Sequence, residues 1–106
     1  VRDATIQRFE FTFEAMWKFL QAQLRWEGRP CASPRGCLME AVQHGWIPPE
    51  EEETFMQMLR YRNLTVHTYN EALAQAVYAF IREHAWPAME RLRQRGLEDG
   101  LEDRSQ

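Results

Sequence analysis

The segment Arg62-Asn63-Leu64-Thr65-Val66-His67-Thr68-Tyr69 places a permanent cation, a group that titrates near neutrality and a phenol close together. The planar fork of arginine suits bidentate grip on phosphate or carboxylate. Histidine is the side chain best poised to take and give a proton near neutral pH. Beside a helix terminus, Arg62 and His67 can hold a phosphodiester and move its protons without a metal. His67 would act as general base on an RNA 2′-hydroxyl, and Arg62 would neutralise the charge building on phosphorus. RNA is required because only RNA carries that internal nucleophile. Five residues of ideal helix separate the pair by roughly 140°, so they do not share a face. They converge if the helix loosens before Thr68. They also converge across a twofold axis, where a homodimer would bring two arginines and two histidines to one cleft. Plainer roles exist for each: an arginine complements a helix C-terminus, a turn histidine satisfies hydrogen bonds, and a tyrosine packs.

Other chemistry-bearing residues read more simply. Glu10 and Glu14 lie four apart on one helical face. Paired carboxylates can bind a metal or act as acid and base. No histidine or aspartate completes a ligand pattern, so salt bridges to arginine are expected, with Arg62 as a partner for Glu14. No metal or other cofactor is expected. His44 falls at a helix C-terminus, where partial positive charge is favoured. His84 falls on the apolar face of a late helix and reads as a satisfied buried residue. Asn63-Leu64-Thr65 matches a glycosylation acceptor, discarded because the sequence has no export signal. Cys31 and Cys37 read as reduced packing residues of a cytoplasmic protein.

These residues need helices to position them. Ile6, Phe9, Phe13, Met16, Leu20 and Leu24 recur in steps of three and four, an amphipathic helix over about residues 2–27. A second stripe, Phe11, Ala15, Phe19, Ala22 and Trp26, lies on another face, so this helix should pack on two sides. Trp17, Phe13 and Trp26 read as core by the same spacing. Glu14 and Lys18 form an i,i+4 pair in the favourable order. Gly28 and Pro30 end the helix. Ser33-Pro34 is an N-cap followed by proline at the first helical position, and Gly45 stops that second helix near His44. Trp46-Ile47-Pro48-Pro49 is an apolar connector. Glu50 to Glu53 complement the positive end of a third helix running to about Val66. Thr68 and Glu71 have capping-box spacing before a fourth helix with Leu73, Val77, Phe80, Ile81 and His84 on one face. Pro87 should interrupt that helix between Glu83 and Trp86.

The expected architecture is all-α, an antiparallel up-and-down bundle of four-helix type that pairs as a homodimer. With 106 residues, the chain reads as a single bundle domain over 1–96 and a polar acidic tail over 97–106. A net charge of −3 argues against a general nucleic-acid coat but leaves room for a local phosphate site. The nearby basic residues available to such a site are Arg35, Arg60 and Arg62. No run of eighteen apolar residues suggests a membrane span. The helical pattern already running at Val1 suggests that native residues precede it.

The order Arg62-(four residues)-His67-Thr68-Tyr69 resembles the R-X4-H-X-Y signature of HEPN domains of the HepT-like kind. Ile6-Gln7-Arg8-Phe9-Glu10-Phe11-Thr12-Phe13-Glu14 with Trp17-Lys18 resembles the opening of the nucleotidyltransferase substrate-binding proteins of that group. Ser33-Pro34-Arg35, the connector after Gly45, Met58-Leu59 and the central segment follow in the family's order, over roughly residues 2–92. The resemblance implies a small helical homodimer encoded beside a minimal nucleotidyltransferase and paired with it. It implies a metal-independent ribonuclease toxin whose partner is the antitoxin. Arg62 and His67 would be the catalytic pair and Tyr69 the nucleotidylated position, with Asn63 and Glu14 supporting. RNA or nucleotide would be the further ligand. The alternative is a non-catalytic substrate-binding subunit of a nucleotidyltransferase complex.

Overall fold

The computed structural model describes residues 4–67 and 70–96, with backbone only at 65–67. Among them the chain is helical apart from short connecting turns and has no strand. The first helix, α1 (Ala4–Trp26), buries Ile6, Phe9, Phe13, Leu20 and Leu24. This is the heptad-like stripe expected from the sequence. Gly28 ends it at φ +77°, a left-handed turn that costs glycine little. The Arg29 N–H reaches back to the Leu24 carbonyl at 2.7 Å there.

α2 (Pro34–His44) begins as the Ser33-Pro34 pair dictates: the Ser33 side chain accepts from the Gly36 N–H at 3.0 Å. It stops at Gly45, φ +91°, whose N–H bonds the Ala41 and Val42 carbonyls. Leu38 and Ala41 face α1 and the core. A 3-10 turn at Pro49–Glu51 then leads into α3 (Glu52–His67), with Phe55, Met56 and Met58 buried. α4 (Glu71–Phe80) and α5 (Trp86–Gly96) run on from each other through a π-helical turn, Ile81–Ala85. These four rods, α4 and α5 counted as one, share a single apolar core. A clamp closes one end. Glu51 accepts from Arg91 Nε at 2.6 Å and lies 3.4 Å from Arg95 Nη2. Arg95 Nε also donates to the Trp46 carbonyl at 2.7 Å, so the Trp46–Pro49 connector is tied to α5.

Four expectations change here. Asn70, not Thr68, caps α4: its side chain accepts from the Leu73 N–H at 2.8 Å, so Glu71 is the first helical residue rather than the third. Thr68 itself lies outside the described residues. Cys31 and Cys37 are not reduced but joined in a disulfide. The chain folds back through the α2 cap, bringing their Cα atoms to 5.2 Å. Trp26 is 72% exposed rather than core, while Phe13 is buried and Trp17 half-buried. His84 is exposed rather than buried. Pro87 explains that last change. It has no N–H and its ring opposes the carbonyl one turn back, so the helix widens, and the Trp86 N–H bonds the Ile81 carbonyl five residues earlier. The widened turn holds one more residue. Ala85 therefore takes the inward place after Ile81, and His84 turns out against the Phe80 ring at 5.8 Å.

No described helix is long and apolar enough to cross a membrane. The expected tail, 97–106, lies outside the described residues.

Candidate anion site

Arg62 projects from α3 across the seam to α1. Its Nη2 donates to Glu14 Oε1 at 2.6 Å, a charge-assisted bond joining residues 48 apart in sequence. Its Nη1 donates to Asn63 Oδ1 at 3.0 Å. The arginine partner expected for Glu14 is thus Arg62, and Arg62, Asn63 and Glu14 form one cluster. Lys18, one turn along α1, stands 3.9 Å from the other Glu14 oxygen. Both Arg62 and Glu14 are about a third exposed or less, so water reaches the cluster but does not dominate it.

Burial alone would push the Glu14 carboxyl up. The hydrogen bond from Arg62, the adjacent Trp17 indole N–H and the charges of Arg62 and Lys18 together outweigh it, and the group sits below its ordinary value. The Trp17 indole contributes by proximity only. Its buried Nε1 makes no hydrogen bond of proper geometry among the described residues.

His67 is the last residue of α3, and its side chain is not described; Tyr69 lies outside the described residues altogether. The convergence of Arg62, His67 and Tyr69 therefore remains an expectation from spacing. The other two arginines expected near the site stand elsewhere. Arg60 and Arg62 are two apart on a helix and point roughly 160° away from each other. Arg60 binds Glu53, and also Gln57 at 2.6 Å and 3.0 Å. With Arg35, Glu52 and Glu53 it lines a small polar pocket of about 410 Å³ between α2 and α3. Charges of both signs meet there, so it is no simple cationic patch.

His44 is the last residue of α2, as expected, and lies edge-on to Trp46 at 4.7 Å and 3.9 Å from Glu27. Among the described residues no three His, Cys, Asp or Glu side chains gather as a metal site.

Sequence reading missed one larger feature. An open groove of about 700 Å³ runs between α1 and α5, walled by Met16, Phe19, Trp46, Trp86, Met89 and Leu92. The Arg8 guanidinium lies over the Trp86 ring at 5.7 Å on its rim. The second apolar stripe of α1 was its signal. Ala15 and Phe19 of that stripe border the groove, and Phe11 and Trp26 face outward, 76% and 72% exposed.

The family model for nucleotidyltransferase substrate binding protein-like chains matches residues 1–98. Among solved structures, the crystal structure of a Thermus thermophilus protein is similar at 47% identity and a TM-score of 0.79. The match covers 85% of this chain and 76% of that one. No curated protein sequence matches.

Proposed function

The chain belongs to the nucleotidyltransferase substrate binding protein-like family, and on that premise we propose that it is the substrate-binding subunit of a nucleotidyltransferase complex. In this reading it pairs as a homodimer with a minimal nucleotidyltransferase in the cytoplasm. Arg62 holds a phosphate-bearing group, on RNA or nucleotide, for the partner to act on. The observation that carries the reading is the family match itself, which runs through α1 and α3 and so includes Glu14 and Arg62. The chemistry is consistent with it. Arg62 is a partly shielded guanidinium already holding an oxyanion, the Glu14 carboxylate. Phosphate presents the same kind of acceptor. Three residues from Glu14, and so beside it on the helix surface, Phe11 opens the exposed stripe that a second copy can cover.

The test is reconstitution with the nucleotidyltransferase encoded beside this chain. Complex formation and a faster nucleotide transfer are expected, with the acceleration but not the complex lost in Arg62→Ala. No complex, or acceleration untouched by Arg62→Ala, overturns the reading.

The second reading is the metal-independent ribonuclease, with Arg62 and His67 catalytic and Tyr69 the nucleotidylated control point. One observation favours it: both residues of the R-X4-H pair fall within α3, at its C-terminal end, in the order that HEPN ribonucleases use. The sequence motif alone put this reading first, and the family match favours the binding role. Incubation with RNA in chelator separates them. Cleavage leaving a cyclic phosphate, lost in His67→Ala, supports the ribonuclease. Inhibition by the partner that persists in Tyr69→Phe removes Tyr69 from its control.

A further inference from the structure

We propose that Glu14 is a displaceable latch on Arg62: its carboxylate is seated on the guanidinium that a phosphate would bind, and ligand binding is an exchange of one oxyanion for the other. This rests on the reading of Arg62 as the anion contact.

The hydrogen bonds of Arg62 point to the exchange. One Nη bonds Glu14 and the other bonds Asn63. A guanidinium carries five N–H donors, so a phosphate need not take these two, but one that shares the guanidinium with Glu14 meets a second negative charge held 2.6 Å from Nη2. Asn63 is neutral and exposed, on the arginine's own helix, and can turn aside. Glu14 is charged and cannot stay where a phosphate arrives without like-charge repulsion. It must move, and α1 offers it two other partners. Lys18 already stands 3.9 Å from its second oxygen, and the buried Trp17 Nε1 still lacks a well-formed acceptor. A carboxylate that leaves Arg62 can therefore settle on its own helix without being left unpaired.

The competing interpretation is that Glu14 only positions Arg62, and the two differ in sign. A positioning carboxylate strengthens anion binding, whereas a latch weakens it. Glu14→Gln keeps the size of the side chain and removes its charge, and the site is too exposed for this change to unfold the bundle.

The experiment is calorimetric titration of the full chain with adenosine 5′-monophosphate at low salt, for wild type, Glu14→Gln and Arg62→Ala. Expected are measurable wild-type binding, several-fold tighter binding in Glu14→Gln and loss of binding in Arg62→Ala. Equal or weaker binding in Glu14→Gln, with loss in Arg62→Ala, overturns the latch and leaves the anion site standing. Binding absent in wild type, or unchanged in Arg62→Ala, overturns the anion site and the latch with it. A second measurement needs no variant. Carbon NMR of the Glu14 carboxyl in wild type should show its pKa rising when the nucleotide saturates the protein, as Arg62 is taken from it. Arg62 on α3 and Lys18 on α1 are the charged groups that hold that pKa down. A pKa that stays fixed at saturation means that the carboxylate has not moved, and the latch is wrong.

Discussion

Individual side chains set the local stability of this protein in ways that can be measured one at a time. Ser33 satisfies one of the helix-terminal N–H groups of α2, that of Gly36. Ser33→Ala should lower unfolding stability by about 1 kcal/mol in a denaturant titration. Glu14 gives a pH dependence whose sign follows from its lowered folded-state pKa. The unfolded carboxyl, near 4.5, binds a proton more readily than the folded one. Its stabilising share is therefore complete above that pH and disappears as pH falls through the lower folded value. Wild type should lose its denaturant-midpoint advantage over Glu14→Gln over that acidic window and nowhere else. At this scale the sequence was readable wherever the determinant was local. Ser33-Pro34 and Gly45 marked the ends of α2 because a cap acts within four residues. Thr68 and Asn70 are both good cap residues two positions apart, and pattern alone preferred the wrong one. Arg62 and Glu14 share no local signal at all. Their union depends on how α3 lies on α1, and only the demand that a carboxylate find a cation pointed to it.

Elements depart from ideal form where a single residue forces them to. Pro87 turns a helix of α type into one with a π turn, and the extra residue rotates everything around it. The presence of that break was legible from proline chemistry. The resulting phase shift was not, which is why His84 was expected inside and Ala85 is found there. The Cys31–Cys37 disulfide ties the end of the α1–α2 loop to the first turn of α2. A six-residue separation fixes neither pairing nor redox state, and the lack of an export signal pointed to thiols. The geometry of the cap decides otherwise. Closing so short a loop is worth about 2 kcal/mol in the chain-entropy account. A double Cys31→Ser, Cys37→Ser variant should melt several degrees lower than the oxidised protein. Wild type in strong reductant should fall to the same temperature.

At the scale of the whole molecule, the bundle has one buried core and one helix that is apolar on too many sides. α1 satisfies α2, α3 and α4 with one stripe and leaves Phe11 and Phe19 in solvent with the second. The double-faced pattern was legible in the sequence. What it does not contain is the partner's shape, and the groove beside it appears only once α5 is laid along α1. If a second copy covers the stripe, light scattering should give twice the 12.7 kDa chain mass at high concentration. Phe11→Glu should shift that equilibrium towards monomer while leaving the helical circular dichroism intact. An unchanged mass would move the interface elsewhere on the surface.

The four tryptophans happen to stand at separate places that matter. Trp17 adjoins Glu14, Trp46 and Trp86 wall the groove, and Trp26 closes the exposed end of α1. Intrinsic fluorescence is therefore divided into reporters by position. Replacing three indoles at a time with phenylalanine would leave a protein that signals, unlabelled and in real time, whether the carboxylate's neighbourhood, the α1–α5 channel or the outer helix face has been occupied.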